Sequence, residues 1–341
     1  MNEQTKGRIR IFAVLLLSVV AVHLIVLRLI VPGKKAEKEK TPEVKEQQLP
    51  PPPPPKPAYR FRQPGKNPGL GQPFDYTNCT RKLPPSLARQ DVCRNGIIID
   101  LASRKVLWEK RSGEAAPAAS MVKMMTLLLT MEELERDHKL NLQSKVDISP
   151  TVLRVPRTGV IWLDPRENFP LEELLQAITI KSANDAAVQV AEFIGGTVEN
   201  FVKEMNQRAA ELHMTQTRFL SPCGLPDKKG RNSLASPHDL CLLAEQLLEY
   251  PKVLEWSSTS TVWVRNKKTV LTTTNGLIKR NIKGVDGLKT GYTKAAGSCL
   301  TFTVERNGRR LIGCVSGCSS SKARDAFCAN LIDWAYTIPV K

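Results

Sequence analysis

The sequence predicts an α/β fold of the α+β type, with an antiparallel β-sheet flanked by helices and a mostly helical subregion. Strand-like runs cluster at both ends of the region from residue 83 to the C-terminus, and helix-like runs occupy its middle. Strands from the two ends of such a region can share one sheet when the helices between them pack against it. Apolar residues make up 41% of the 341-residue chain, which is enough for a core of this kind.

The N-terminal segment predicts a membrane anchor. Residues 11–31 form an apolar run that only His23 and Arg28 interrupt, and about 20 helical residues cross the core of a bilayer. We therefore expect a cytoplasmic tail at residues 1–10 and a single transmembrane signal anchor at residues 11–32. A cleaved signal peptide is the alternative, but Pro-Gly-Lys-Lys follows the run where a small-x-small cleavage site would stand.

A spacer is predicted at residues 33–82. It begins with a Lys/Glu-rich stretch and continues with a proline run at residues 50–55. Such a composition cannot bury enough apolar surface to fold, and consecutive prolines adopt a stiff polyproline II conformation. The alternative, a ligand for a proline-binding module, remains open. The folded domain is then expected at residues 83–341.

Periodicity predicts the elements of this domain in order. A β-hairpin at residues 96–100 and 105–108 comes first, because two short strand-like runs flank a tight polar turn. Helical periodicity follows at residues 120–134, 171–193, 198–212, 237–248 and 322–335. Further strand-like runs lie at residues 259–264, 299–304 and 311–315.

Composition excludes several classes of protein. The formal net charge is +17, but the excess is spread along the chain, and no nucleic-acid-binding signature is present. We interpret the charge as a basic surface near an anionic lipid or polymer. The eight cysteines include no C-x-x-C pair, so a metal site is not expected. Disulfides and buried free thiols both remain open for them.

Three short motifs carry polar side chains that suit nucleophilic catalysis. Ser120 and Lys123 are three residues apart, which places them on one face of a helix. A serine hydroxyl needs a base, and lysine serves as one when burial lowers its pKa. Ser182 and Asn184 are two residues apart and could both enter a cleft from a loop, although a helix cap would use the same residues.

The third motif is Lys289-Thr290-Gly291, followed by Tyr292. A lysine and a threonine at a strand edge can bind a carboxylate. A glycine beside them lets a substrate backbone approach closely. An ordinary turn followed by a strand is the alternative interpretation of this motif taken by itself.

Together, S-x-x-K, S-x-N and K-T-G in this order resemble the penicillin-binding proteins and serine β-lactamases. Longer strings narrow the resemblance to the D-alanyl-D-alanine carboxypeptidases among the low-molecular-weight penicillin-binding proteins. They are S-A-N-D-A-A at 182–187, F-V-K-E-M-N at 201–206, G-L-P-D at 224–227 and G-V-D-G-L-K-T-G-Y-T at 284–293. The resemblance covers about residues 94–338.

This resemblance implies a serine-type D-Ala-D-Ala carboxypeptidase acting on peptidoglycan pentapeptides. Ser120 would attack the carbonyl between the two terminal D-alanines, and Lys123 would take its proton. Ser182 would pass a proton to the leaving amine, and Asn184 would orient the peptide. No cofactor or metal is expected, and β-lactam antibiotics should inhibit covalently.

The resemblance also implies that the remaining motif residues bind the substrate. Lys289 and Thr290 would hold the terminal carboxylate, and Gly291 would make room for the substrate. Backbone N–H groups of Ser120 and Tyr292 would form the oxyanion hole. Because peptidoglycan lies outside the cytoplasm, the catalytic domain is expected on the periplasmic or extracellular side of the cytoplasmic membrane.

The chain departs from the family pattern at several positions. Ala118 and Val122 stand where proline and threonine are usual around the nucleophile, and neither change removes a catalytic group. Cys223 stands where a histidine is common, which would alter the cleft lip or permit a disulfide. Thr274 stands where some relatives have an arginine, so Lys289 would carry more of the carboxylate binding. Many relatives append a C-terminal β-domain with an anchor helix, and we expect the N-terminal anchor and spacer to replace it.

Three other functions remain as alternatives. A DD-endopeptidase would use the same machinery on cross-links. A class A β-lactamase would need an E-x-x-L-N glutamate, and no such string lies between Asn184 and Lys289. A non-catalytic wall-binding relative would be expected to lose at least one motif residue, and none is lost.

Overall fold

The computed structural model of the chain describes residues 70–339. The predicted tail and anchor, with residues 33–69 of the spacer, lie outside the described residues. Within the described part, no helix is both long enough and apolar enough to cross a membrane.

Eleven strands occur among the described residues. They are β1 (Asn95–Asp100), β2 (Val106–Lys110), β3 (Ala116–Pro117), β4 (Lys145–Asp147), β5 (Asn168–Pro170), β6 (Leu234–Ala235), β7 (Thr261–Val264), β8 (Thr269–Thr272), β9 (Val285–Thr293), β10 (Gly297–Arg306) and β11 (Arg309–Cys318).

The helices lie mostly between β2 and β9. They are α1 (Pro85–Ala88), α2 (Lys123–Arg136), α3 (Leu171–Gln176), α4 (Asn184–Gly195), α5 (Val198–Glu211), α6 (Pro237–Leu247), α7 (Pro251–Ser258), α8 (Gly276–Lys279) and α9 (Ser321–Thr337). Two 3₁₀ turns, Ala119–Val122 and Pro150–Arg154, and a π turn, Ala177–Lys181, complete the list.

The central sheet is antiparallel and is built from both ends of the domain, as predicted. Its strand order is β2-β1-β11-β10-β9. Every residue of β1 is buried, because helices cover both faces of the sheet. Ile97 and Ile99 pack in the core shared with α2 and α6. Ile98 points to the other face and packs in the core that contains Phe327 of α9. The edge strand β9 carries the K-T-G motif.

The predicted helix at 171–193 is wrong as a single element. It is α3, the π turn and α4, broken at Ser182, which has a left-handed backbone with φ 64°. The N–H of Ala183 donates to the carbonyl of Ala177 at 3.0 Å and closes the π turn. The apolar residues remain buried on both sides of the break, so the hydrophobic period does not reveal it. The break places Ser182 at a corner and Asn184 in the first turn of a helix.

Two other expectations need correction. The predicted helix at 120–134 begins with the 3₁₀ turn Ala119–Val122 before α2 starts at Lys123. The predicted strand at 259–264 is β7, which pairs with β8 in a separate two-stranded sheet and does not join the central one. Arg265, Asn266 and Lys267, all with positive φ, make the turn between β7 and β8.

The cysteines form no disulfide. All eight are free thiols, and all but Cys79 are buried. Of the two possibilities left open by the sequence, the structure therefore has buried free thiols. Cys223, whose neighbourhood the sequence could not specify, is one of them.

Candidate active site

A cleft of about 370 Å³ lies along β9, between the central sheet and the helical region. It is lined by Ser120, Thr158, Gly159, Lys181, Ser182, Asn184, Gly224, Leu225, Thr274, Thr290, Gly291, Tyr292, Thr293, Ser321 and Arg324. Parts of all three sequence motifs therefore meet at one site. The structure brings the motifs together although more than 160 residues separate the first from the last.

Ser120 and Lys123 meet as the sequence predicted. The 3₁₀ turn leads directly into α2, so Ser120 lies one turn before Lys123. The Nζ atom of Lys123 lies 3.0 Å from the Oγ atom of Ser120. Lys123 is fully buried, whereas Ser120 is partly exposed to the cleft. A lysine behind a serine in this way can act on its hydroxyl while the serine faces a substrate.

Two further acceptors surround the Lys123 amine. Nζ donates to Oδ1 of Asn184 at 2.7 Å and to the carbonyl of Cys223 at 2.6 Å. A neutral amine has two N–H bonds and one lone pair. With both N–H bonds used by these acceptors, the lone pair remains for the Ser120 hydroxyl proton.

The electrostatics of the site make this neutral form accessible. Burial lowers the pKa of Lys123 to about 8, and the opposing effects of Cys223 and Asp185 are smaller. An isolated buried ammonium is expensive, so the folded protein shifts the equilibrium towards the amine. About a tenth of Lys123 is thus uncharged at pH 7, far more than for an ordinary lysine, and the uncharged amine is the state a general base requires.

Close backbone packing holds the turn that carries Ser120. Ala119 has a left-handed backbone with φ 47°, a strained conformation that clusters at functional sites. Gly224, with φ 83°, lies so close that a Cβ atom there would be 1.8 Å from the carbonyl oxygen of Ala119. Gly291 of β9 also packs against this turn, and a Cβ atom there would lie 3.2 Å from Cβ of Ala119. Two glycines from distant segments of the chain therefore allow close packing around the turn.

Asn184 links the lysine to the opposite wall of the cleft. Its Nδ2 atom donates to the carbonyl of Thr158 at 2.7 Å, and its backbone N–H donates to the carbonyl of Gly159 at 2.6 Å. The side-chain oxygen then faces Lys123, as described above. Asn184 is 6% exposed, so its main contacts here are with the protein. The sequence predicted a peptide-orienting role, and the structure adds a contact with Lys123 that the sequence did not predict.

Asp185 extends this connection. Its buried carboxylate accepts hydrogen bonds from the backbone N–H groups of Ile161 and Leu163, each at 3.1 Å. These bonds fix the loop that contains Thr158 and Gly159 against the first turn of α4. In the motif S-x-N-D, Ser182 and Asn184 therefore line the cleft, and Asp185 holds the loop that forms its wall.

Lys289 and Thr290 lie where the third motif was expected. Lys289 is buried, and its Nζ donates to the carbonyl of Thr290 at 3.0 Å. Burial, with smaller contributions from Lys123 and Arg324, lowers the pKa of Lys289 well below its ordinary value. The Oγ1 atom of Thr290 lies 2.5 Å from Oγ1 of Thr274. Thr274 thus forms a hydroxyl pair in place of the arginine of some relatives.

Arg324 is a cleft residue that the sequence analysis missed. It comes from the first turn of α9 and lines the cleft. Its guanidinium is 2% exposed and donates to Oδ1 of Asp325 at 2.6 Å and to the carbonyl of Cys299 at 3.0 Å. The lining of the cleft therefore includes a guanidinium as well as the lysine Lys181. No motif in the local sequence indicates Arg324, because its position depends on how α9 packs on β10.

The eight residues singled out from the sequence all belong to this site. Six of them line the cleft: Ser120, Ser182, Asn184, Thr290, Gly291 and Tyr292. Lys123 and Lys289 lie buried directly behind it. Tyr292 is 68% exposed at the rim. Their individual chemical roles, including the oxyanion hole and the proton relay through Ser182, stay predictions.

Comparison with known proteins gives consistent matches. A family model described as D-alanyl-D-alanine carboxypeptidase (peptidase S11) matches residues 86–320. The chain is 36% identical over 266 residues to D-alanyl-D-alanine carboxypeptidase DacF of Bacillus subtilis, covering 74% of this chain and 67% of that one. It is 29% identical over 249 residues to D-alanyl-D-alanine carboxypeptidase DacC of Escherichia coli, covering 71% and 61%.

Solved structures agree with these relatives. Penicillin-binding protein D2 from Listeria monocytogenes, in its cefotaxime-bound form, matches with a TM-score of 0.65 and 31% identity, over 72% of this chain and 97% of that one. This match confirms the predicted fold. The chain spans 61% of DacC and 67% of DacF. The family match covers more than half of the chain, and the fold and the convergence of the three motifs agree with it. The chain therefore belongs to the D-alanyl-D-alanine carboxypeptidase family of serine peptidases.

Proposed function

We propose that the chain is a serine-type D-Ala-D-Ala carboxypeptidase that removes the terminal D-alanine from peptidoglycan pentapeptides through an acyl-enzyme on Ser120. One observation carries this proposal: the buried amine of Lys123 lies 3.0 Å from the hydroxyl of Ser120. Family membership supports the substrate class, since the relatives described above are named for this activity.

The first half of the reaction forms the acyl-enzyme. Lys123, neutral and held by Asn184 and Cys223, takes the proton of Ser120 as its Oγ attacks the carbonyl between the D-alanines. The N–H groups of Ser120 and Tyr292 receive the developing oxyanion. Removing one donor of this kind in other enzymes typically costs about 100- to 1000-fold in rate. Ser182 then relays to the leaving amine the proton that Lys123 took from Ser120, which restores the neutral lysine, and D-alanine departs.

Lys289, Thr290 and Arg324 bind the terminal carboxylate of the substrate before it leaves. An incoming carboxylate favours the charged form of Lys289, whose pKa is lowered in the empty cleft. Binding is therefore coupled to proton uptake at Lys289. Water hydrolyses the acyl-enzyme after D-alanine has left, and Lys123 is the nearest base to activate it.

The protein would act outside the cytoplasm. Residues 1–32 have the composition of a tail and an uncleaved anchor, which supports a single-pass protein of the cytoplasmic membrane with its catalytic domain on the periplasmic or extracellular side. β-Lactam antibiotics, whose carboxylate and strained amide mimic the D-Ala-D-Ala terminus, would be covalent inhibitors.

The proposal is tested by incubating the protein with a pentapeptide muropeptide and, separately, with a cross-linked muropeptide dimer. We expect stoichiometric release of D-alanine and a tetrapeptide product from the first substrate, and neither product with the Ser120→Ala variant. Cleavage of the dimer without D-alanine release from the pentapeptide would assign the endopeptidase activity instead.

A further inference from the structure

A second groove lies beside the loop that forms one wall of the cleft. It has a volume of about 470 Å³ and is lined by Trp162, Asp164, Arg166, Glu167 and Arg265. We call it the Trp162 groove. Its residues are distinct from those that line the cleft, and none belongs to the three motifs. The mechanism above gives these residues no role.

Trp162 is presented to solvent by an unusual backbone conformation. Its neighbours Ile161 and Leu163 are each 5% exposed, whereas Trp162 is 59% exposed. Its φ is 59°, a left-handed value that bulky residues rarely adopt. The two buried neighbours fix the loop in the core and leave the indole outside.

Hydrogen bonds on both edges of the loop maintain this conformation. On one edge, the carboxylate of Asp185 accepts the N–H groups of Ile161 and Leu163, each at 3.1 Å. On the other edge, Arg265 donates from Nη1 to the carbonyl of Ile161 at 2.9 Å and from Nη2 to that of Trp162 at 2.7 Å. Trp162 is therefore a rigid platform, attached through Asp185 to the catalytic motif that contains Asn184.

The polar wall of the groove consists of paired ions. Nε of Arg166 donates to Oδ1 of Asp164 at 2.9 Å, and Nη2 of Arg265 donates to Oε2 of Glu167 at 3.1 Å. The two guanidinium groups and two carboxylates of the lining carry no net charge, and the guanidinium of Arg157 lies beside them, 5.6 Å from the centroid of the indole ring. Because the lining cations are already paired with carboxylates, a polyanion or an anionic headgroup would gain little from them. A neutral sugar ring fits better, since it offers C–H groups to an indole and hydroxyls, which both donate and accept, to such pairs.

We propose that the Trp162 groove binds a sugar ring of the glycan strand that carries the stem peptide. This inference rests on the proposed function. Gly159 lines the cleft, and its Cα atom lies within about 11 Å of that of Trp162, because consecutive Cα atoms are about 3.8 Å apart. The first four residues of a pentapeptide span at most about 13–14 Å when extended. The groove therefore lies no farther from this wall of the cleft than a stem peptide can reach.

The test compares two substrates: a disaccharide pentapeptide and the same pentapeptide without sugar. We expect the wild-type protein to prefer the first by about 2- to 10-fold in kcat/KM, the range that one aromatic contact supplies. Trp162→Ala should bring this ratio close to one, and Trp162→Tyr, which keeps an aromatic face, should largely retain it. Arg166→Gln, at a side chain that is 88% exposed, should also lower the ratio without disturbing the core.

Trp263→Ala is the matched control. Trp263 is 57% exposed on β7 and does not line the groove, so the ratio should not change. A wild-type ratio of one, a ratio unchanged in both Trp162→Ala and Arg166→Gln, or an equal fall in Trp263→Ala would overturn the assignment.

A binding measurement separates this inference from the proposed function. In the Ser120→Ala background, saturation-transfer NMR with the peptide-free disaccharide should detect binding that Trp162→Ala abolishes. Binding without D-alanine release from either substrate in the wild-type protein would contradict the proposed function and leave the groove assignment intact. If the disaccharide does not bind and D-alanine is released from both substrates at equal rates, the groove assignment would be contradicted and the proposed function would stand.

Discussion

The residue on which the proposed chemistry depends is Lys123, whose charge is set mainly by its burial. Asn184 and Cys223 offer two neutral acceptors and the Ser120 hydroxyl is the third contact. With its pKa lowered to about 8 by burial, the amine is mostly protonated below that pH and mostly neutral above it. Acylation of Ser120 should therefore rise with pH and level off above about pH 8.

A carboxylate beside Lys123 should displace this pH profile. Asn184→Asp places a negative charge 2.7 Å from Nζ, which stabilises the ammonium and raises its pKa. We expect the acidic limb of the acylation rate, measured with a fluorescent penicillin, to move to higher pH. If the limb moves by one pH unit, the rate at neutral pH should fall about tenfold, because the neutral fraction of the amine falls by that factor.

Asn141→Asp, on an exposed loop far from the motifs in sequence, is the control and should keep the wild-type profile. An Asn184→Asp protein that is folded and shows an unmoved limb would mean that Lys123 is not the group whose deprotonation limits acylation.

Some residue-scale features could be read from the sequence, and others could not. The motif side chains were identifiable because their types and order carry the chemistry. The carbonyl of Cys223 was not, since any residue supplies a backbone carbonyl and only the fold aims it at Lys123. Arg324 was missed for a related reason: its place in the cleft depends on the docking of α9 against β10.

Among the elements, the turn that carries Ser120 depends most on backbone packing. Gly224→Ala should disrupt this turn, because a Cβ atom would lie 1.8 Å from the carbonyl oxygen of Ala119. We expect a lower Tm and a large loss of penicillin labelling. The left-handed backbone alone costs an alanine about 1–2 kcal/mol, and the clash adds to this.

Gly230→Ala is the matched control for this prediction. Gly230 also has a left-handed backbone, with φ 75°, but nothing lies within 4 Å of a Cβ there. The Gly230→Ala variant should therefore lose only the stability that the left-handed backbone costs an alanine, and it should still be labelled by penicillin. Equal losses in the two variants would show that the contact between Gly224 and Ala119 does not support the nucleophile.

Element-scale prediction succeeded where periodicity and burial agree. The helix α9 was found because its apolar residues recur with the helical period, and the strands β1, β10 and β11 were found because each contains a short, largely apolar run. The break at Ser182 was not found, since the apolar residues continue on both sides of the π turn and remain buried. The polar residues of K-S-A-N-D at 181–185 do interrupt the apolar run, but the exposed face of a continuous helix could carry them equally well.

On the scale of the whole molecule, the N-terminal region predicts how the protein is held at its substrate. The full-length protein should stay in the membrane fraction after a high-salt wash and retain its N-terminal peptide in mass spectrometry. Deletion of residues 1–32 should release an active soluble form. A mature N-terminus within the Lys/Glu-rich stretch would identify the apolar run as a cleaved signal peptide.

The central claim is that Ser120 is the nucleophile and that a neutral Lys123 activates it. The most direct measurement is mass spectrometry of the denatured protein after incubation with benzylpenicillin. We predict one penicilloyl group per chain, located on Ser120, which persists because the tethered leaving group stays in the site and no E-x-x-L-N glutamate activates water. Labelling should vanish in Ser120→Ala and fall sharply in Lys123→Arg, which cannot serve as a neutral base. Undiminished labelling of Ser120→Ala would contradict the account, and rapid repeated turnover of penicillin would assign a β-lactamase activity instead.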